Sequence, residues 1–338
     1  MGGSRKGLWT VLTMNSNLNS GRSARPITTS AGSQEQGMVL VKPVTVWHSQ
    51  TMTFSPLPML SGLKVVLRRS SASEVSGSTT QKAAFINAMT RWSGGVVPTT
   101  KPYRVQVRVS SQLDRLREFV CKRRLGSGDI AWSSPQEDSV GIVASGSFAP
   151  RWLCRGERTS IHGHYSAIRL NEAAEPIVYT RGPSRLPIIA IPTAQGDIVL
   201  IDPEPRRLIG DAKVSLMVES IDLMNAYTIA RRHGWYVAGR YAGVILPMVA
   251  HTARWDHDEL VGARACGVRS ATVSLACEET HFALSEYGEP RKSGTSSGRS
   301  GDYFMVDRPF LVTIMRPGVQ LPLVVGWYDT SSWLRSGF

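Results

Sequence analysis

Apolar and polar positions along this chain change over in short bursts, and most bursts are strand-length. Tyr103-Arg-Val-Gln-Val-Arg-Val109 alternates residue by residue, which predicts a strand with one basic face. Val140–Phe148, Ile188–Ile191, Gly196–Ile201, Val244–Pro247 and Val273–Leu284 are further apolar runs of strand type, the second and third forming a tight pair. The strongest signal is near the C-terminal end. Tyr303–Met315 and Gln320–Tyr328 are rich in β-branched and aromatic residues and flank Arg-Pro-Gly-Val, a turn sequence, so they predict a hairpin of buried strands. Pro309 lacks an amide donor and marks a bulge or a strand start. Helical spacing is rarer. Ala83, Ile86, Met89 and Trp92 line one face of a helix over 80–92 that Ser93-Gly-Gly95 stops. Further helices are predicted at Leu113–Phe119 and Ser220–Arg232. Pro56–Leu63 reads as a short helix before a strand at Lys64–Arg68, and Met38–Trp47 as a strand bent at Pro43.

Composition narrows the class. The 338 residues include 31 glycines and 19 prolines, with 42% hydrophobic and 19% charged residues, which describes a β-rich globular protein. No apolar run approaches the roughly 18–20 residues of a membrane span. A net charge of +13 permits a polyanion partner. The arginines are scattered, however, apart from Cys121–Arg124 and Glu204–Arg207, and no zinc-finger, RNA-recognition or P-loop spacing is present. Cys121, Cys154, Cys266 and Cys277 are too few and irregular for a disulfide framework or metal site and are expected to be buried free thiols. His162, His164, His251 and His257 lack the partner pattern of metal ligands and read as ordinary polar residues, so no cofactor is implied. No nucleophile, base and acid can be grouped, so an enzyme is not expected. Residues 1–37 are polar, with no acid before Glu35, and read as a disordered leader. Gly7–Met14 is short for a secretory core, so the compartment stays open between cytoplasmic and extracellular.

Asp307-Arg308-Pro309-Phe310, then a strand, a turn and Pro322-Leu-Val-Val-Gly326-Trp327, resembles the C-terminal signature of the serpins, bacterial members above all. Phe85-Ile-Asn87 through Gly95-Val-Val-Pro98 is similar to the segment that opens the large serpin sheet. Arg151-Trp152, after the 140–148 strand, matches the tryptophan that caps the sheet top, while Ala144 stands where the family has an asparagine. Val244–Pro247 resembles a family strand ending in proline, Asp258–Gly267 would be the helix that follows, and Val273–Leu284 the strand feeding the reactive loop. The resemblance covers about 38–100 and 139–330, with 101–138 as an insertion or divergent loop. It implies an α+β fold, a large central sheet plus a second sheet with flanking helices, and a reduced N-terminal helical layer. The serpin-like domain would span 38–330, with a tail at 331–338.

The resemblance also implies a mode of action. A serpin offers an exposed loop to a serine protease, which cuts it. The freed loop then joins the central sheet as a new strand and carries the protease with it. Here the loop would be 289–302, with Arg299-Ser300 as a scissile bond for a trypsin-like protease. Glu286, Gly288, Glu289 and Pro290 would form the hinge. Alternate loop side chains must enter a buried face, and Glu289 and Arg291 would bring charge there while Pro290 deletes a ladder donor. Three readings follow: a monomeric protease inhibitor, a non-inhibitory relative cut as a substrate, and a basic polyanion-binding module.

Overall fold

A computed structural model describes residues 51–73, 75–77, 103–123, 137–180, 186–205, 212–235, 241–289 and 301–336, all within one unit, Thr45–Phe338. The expected leader, the 38–47 strand and the 80–92 helix lie outside the described residues.

Helix α1 (Pro56–Ser70) begins at an extended Ser55 with proline in its first turn, a position where the missing amide costs nothing. Leu57, Leu60, Leu63 and Val66 recur three apart and are all buried. That periodicity runs through Lys64–Arg68, so the predicted strand there is the second half of one helix. The Val65-Val66 pair lowers helix propensity, and burial of the apolar face overrides it. Arg68 and Arg69 sit in the last turn, favourable at the negative end of the helix, and Ser71 closes it in the left-handed conformation.

The central sheet is ordered β2 (Val75–Ser76), β12 (Arg264–Cys266), β13 (Ser270–Leu284), β4 (Ser139–Phe148), β3 (Arg104–Ser110), and β11 (Val249–Asp256) also pairs with β13. Strands β13 and β4 are parallel neighbours, while β3 is antiparallel to β4. The segment expected to be an insertion thus supplies a sheet strand, β3, with Arg104 and Arg108 exposed. Helix α2 (Leu113–Arg123) packs against β3 and β4 and buries Leu116 beside Val143 and Cys277. Asp258–Gly267 is not helical. Two successive turns (Leu260 N to His257 O, Ala263 N to Leu260 O) lead into β12, and the amides of Gly262 and Val273 bind across to Val273 and Ala263. Pairing with β13 satisfies the backbone that a helix would otherwise have used.

The remaining strands form two sheets. One runs β1 (Met52–Phe54), β16 (Val324–Tyr328), β15 (Phe310–Met315), β9 (Ile198–Asp202), β8 (Ile188–Pro192), β7 (Ile177–Tyr179), antiparallel throughout. Helix α3 (Ala212–His233) lies on it. The other is β14 (Asp302–Met305), β10 (Tyr241–Pro247), β6 (Tyr165–Asn171), β5 (Glu157–Ile161). The predicted 303–315 strand is therefore two strands in two sheets. Pro309, immediately before β15, sits where the chain changes sheet. The β15–β16 pair forms as expected, every residue of it buried. Beyond it, Trp333 and Arg335 form bridges to Val249 and Tyr165, so residues 333–336 are bonded to the body of the fold.

The cysteines correct one expectation. All four are free, but only Cys154 and Cys277 are buried, while Cys121 and Cys266 are exposed.

Candidate functional site

Every residue of β4 pairs with β13, from Ser139 opposite Thr272 to Phe148 opposite Phe282. No strand lies between them. Both chains then run on beyond the sheet and stay together. Trp152 is fully buried four residues past β4, and its indole N–H donates to the Ser285 carbonyl at 2.7 Å. Its own amide donates to Tyr287 O at 3.0 Å, and Glu289 N returns a bond to Trp152 O at 3.0 Å. Arg155 N and Gly156 N donate to Glu289 O and Glu286 O at 2.9 and 3.1 Å. Residues 285–289 are thus clamped by backbone bonds onto 152–156.

Two ion pairs brace the clamp. Glu286, 3% exposed, accepts from the Arg158 guanidinium, with Nε at 2.9 Å. Burial alone would raise this carboxyl, but the Arg158 hydrogen bonds and charge overcome that and hold it below the usual carboxylate range. Arg151 and Glu289 pair at 3.1 Å in a more open setting, where such a pair contributes little. Gly288 is required for space. A Cβ there would lie 2.7 Å from the Cys154 and Arg155 backbone, which cannot move without breaking the clamp. Gly288→Ala is therefore expected to release residues 286–289, visible as a several-fold faster nick by a dilute protease under native conditions. An unchanged rate would mean the clamp does not restrain this segment.

Three comparisons bear on this geometry. No family model matches the chain, and no curated relative matches it either. Among solved structures, it is similar to native protease nexin-1 with heparin (15% identity, 83% of this chain and 93% of that one, TM-score 0.52) and to uncleaved ovalbumin (14%, 82% and 92%, 0.52). Maspin aligns at 11% identity over 82% and 92%, with TM-score 0.51.

The chain has the serpin fold.

Strand β13 runs on into residues 285–289, and Trp152, four residues past β4, is buried where it binds them. Of the predicted hinge, Glu286, Gly288 and Glu289 are brought together in the clamp. Pro290, Arg299 and Ser300 lie outside the described residues. The C-terminal motif plays a packing role. Phe310 is buried, its ring tilted against that of Tyr328, while Asp307 and Arg308 are exposed and bonded to each other. Gly326 faces the Tyr328 ring, whose atoms would stand 2.4–2.8 Å from a Cβ, and that ring's hydroxyl reaches Thr53 Oγ1 at 2.7 Å.

Some partners were invisible in the sequence. Arg158 carried no motif, and Arg151 was named only as the neighbour of Trp152. Opposite Ala144, the small residue in the asparagine position, stands Glu278, 1% exposed. Its carboxylate accepts from the Ser55 amide at 2.9 Å and from the Thr280 hydroxyl. Glu278 thus takes polar partners from its own strand and from the residue that precedes α1. The Glu278-Glu279 pair inside the apolar run Val273–Leu284 was the available signal.

Proposed function

We propose that this chain presents residues 290–300 as bait to a trypsin-like serine protease, with Arg299-Ser300 as the cleaved bond. The observation that carries this reading is the closed β4–β13 pair whose feeding strand leaves through the 285–289 clamp. The chain is held again only a few residues beyond the bait, at β14, so the bait lies between two anchored points in the sequence. Arg299 supplies the cationic side chain that a trypsin-like pocket selects.

Cleavage alone does not trap a protease. Trapping needs β4 and β13 to separate and the freed segment to enter between them. The Arg151–Glu289 pair and the backbone bonds of the clamp hold the hinge outside the sheet, and Glu289 and Arg291 would carry charge into it. Those features favour a chain that is cut and released as a substrate. The uninserted state of the pair supports the second reading, an inhibitor still able to insert.

Incubation with trypsin, followed on a denaturing gel, tests both. The expected product is a clean two-fragment nick within 291–300. A detergent-stable band at the summed mass of chain and protease would instead establish the inhibitor. Cleavage confined to other sites would remove the bait reading altogether.

A further inference from the structure

The most concentrated buried charge among the described residues lies beneath the β4–β13 pair, away from the hinge. His257, 3% exposed, occupies the turn that follows β11. Its Nε2 is 3.2 Å from Glu278 on β13, and its Nδ1 is 2.8 Å from Glu259. Lys213, from the first turn of α3, donates to Glu259 at 2.9 Å and to the Asp256 carbonyl at 3.4 Å, and its Nζ sits 5.3 Å from the Trp255 ring centre. It also stands 3.5 Å from His257 Nδ1. From α1 the set receives the Ser55 amide, bound to Glu278. These groups join β13, the β11–β12 turn, α3 and the start of α1 in one site, with His257 and Glu278 buried and Glu259 partly exposed.

Charge counting shows what the imidazole does. With His257 protonated, two carboxylates face one ammonium and one imidazolium, and both ring N–H groups donate to carboxylates. A neutral ring keeps one N–H, so one ring nitrogen turns a lone pair toward a carboxylate, and Glu278 loses the only cation partner it has among the described residues. An uncompensated buried carboxylate is strongly unfavourable.

We propose that His257 is a proton-operated latch on β13: protonated, it ties the middle of the strand through Glu278 to the β11–β12 turn and α3, and deprotonation loosens the strand and its pairing with β4. Burial by itself would push His257 down, but its hydrogen bonds to Glu259 and Glu278 outweigh that and raise it above its ordinary 6.5, with Lys213 opposing. For Glu259, burial would raise the carboxyl, and the bond and charge of His257 together with Lys213 hold it at about 2 against an ordinary 4.5. The raised histidine contributes stability that is full below 6.5 and is lost as pH rises through its folded value. The depressed carboxyl contributes above 4.5 and is lost as pH falls toward about 2. The latch is fully engaged between these limits and opens on the alkaline side.

The test uses the intact chain without protease, so it stands whether or not the bait reading survives. Thermal unfolding between about pH 6 and pH 9 should show the wild-type midpoint falling by roughly 2–4 °C more than that of His257→Gln. Amide exchange along β13, corrected for its intrinsic pH dependence, should accelerate several-fold in the wild type over the same range. NMR should place the His257 titration above its ordinary value, and Glu259→Gln should move it down. Parallel melting curves for wild type and His257→Gln would overturn the proposal. Should His257→Gln not fold, a wild-type midpoint at or below the ordinary value, or one that Glu259→Gln leaves in place, overturns it equally.

Discussion

Replacing Glu289-Pro290-Arg291-Lys292 by Thr-Ala-Ala-Ala is expected to turn a chain that trypsin cuts and releases into one that retains the protease in a detergent-stable complex. The argument is local. If Gly288 is the pivot, positions 289 and 291 alternate toward the buried face of the sheet, and each charge placed there costs on the order of several kcal/mol. Pro290 lacks an amide donor and would leave a carbonyl of a central strand unpaired. Removing both charges and restoring one donor relieves roughly 5–10 kcal/mol of insertion cost. Loss of the exposed Arg151–Glu289 pair adds only a small further gain, because solvent screens it. The same change should give the cleaved form a marked rise in thermal stability, since a strand has joined the sheet, whereas cleaved wild type should gain little. A wild-type complex would show that the charged hinge does not obstruct insertion. A repaired variant that is still cut and released would place the obstruction elsewhere, and the ten paired residues of β4, all of which must separate from β13, become the next candidate.

The second large effect lies far from the hinge. Arg316, just past β15, binds Asp197 in a two-pronged pair at 2.7 and 2.9 Å, and the Asp197 side chain is 0% exposed. Arg316→Ala leaves that carboxylate buried without its cation, at a cost of about 3–5 kcal/mol. For a chain of this size the unfolding midpoint should fall by roughly 4–7 °C. Tyr103 stands nearby: burial, and then the Asp197 charge, push its hydroxyl well above the usual tyrosine range, so it stays neutral and adds no second negative charge beside Asp197. Replacing both partners with leucine should recover most of the loss, because no isolated charge then remains. A melting curve unchanged by Arg316→Ala would mean that water already reaches Asp197.

What the sequence revealed, and what it withheld, follows the range of the interactions. Strands β3, β4, β13, β15 and β16 were legible because burial on a sheet imposes alternation or an unbroken apolar run, and both are local patterns. The fate of Tyr303–Met315 was not. Apolar character is the same whichever sheet receives it, and only Pro309 hinted at the break. Lys64–Arg68 misled because two adjacent valines favour a strand, while the face formed with Leu57, Leu60 and Leu63 becomes decisive only when β4 and β13 are there to cover it. Asp258–Gly267 misled in the other direction, since its pairing partner lies across a turn. At the site, Trp152, Glu286 and Gly288 could be named from family likeness, but their reasons could not. Gly288 reads as a swivel in sequence and proves to be the one residue small enough to lie against Cys154 and Arg155. The His257 set was the largest omission. Asp256-His257-Asp258-Glu259 is an unremarkable acidic turn until Glu278 and Lys213 arrive from strands and helices distant in the chain.

The division of the C-terminal run between sheets also determines what a cut in 290–300 leaves behind. The piece that follows it carries β14 beside β10, β15 beside β9, β16 beside β1, and the 333–336 stretch against 164–166 and 248–249. Its severed end belongs to a segment woven into two sheets at several places, so no single seam can open to let it go. One broken peptide bond would thus create a two-chain molecule held by noncovalent forces, whose halves part only when the whole fold melts.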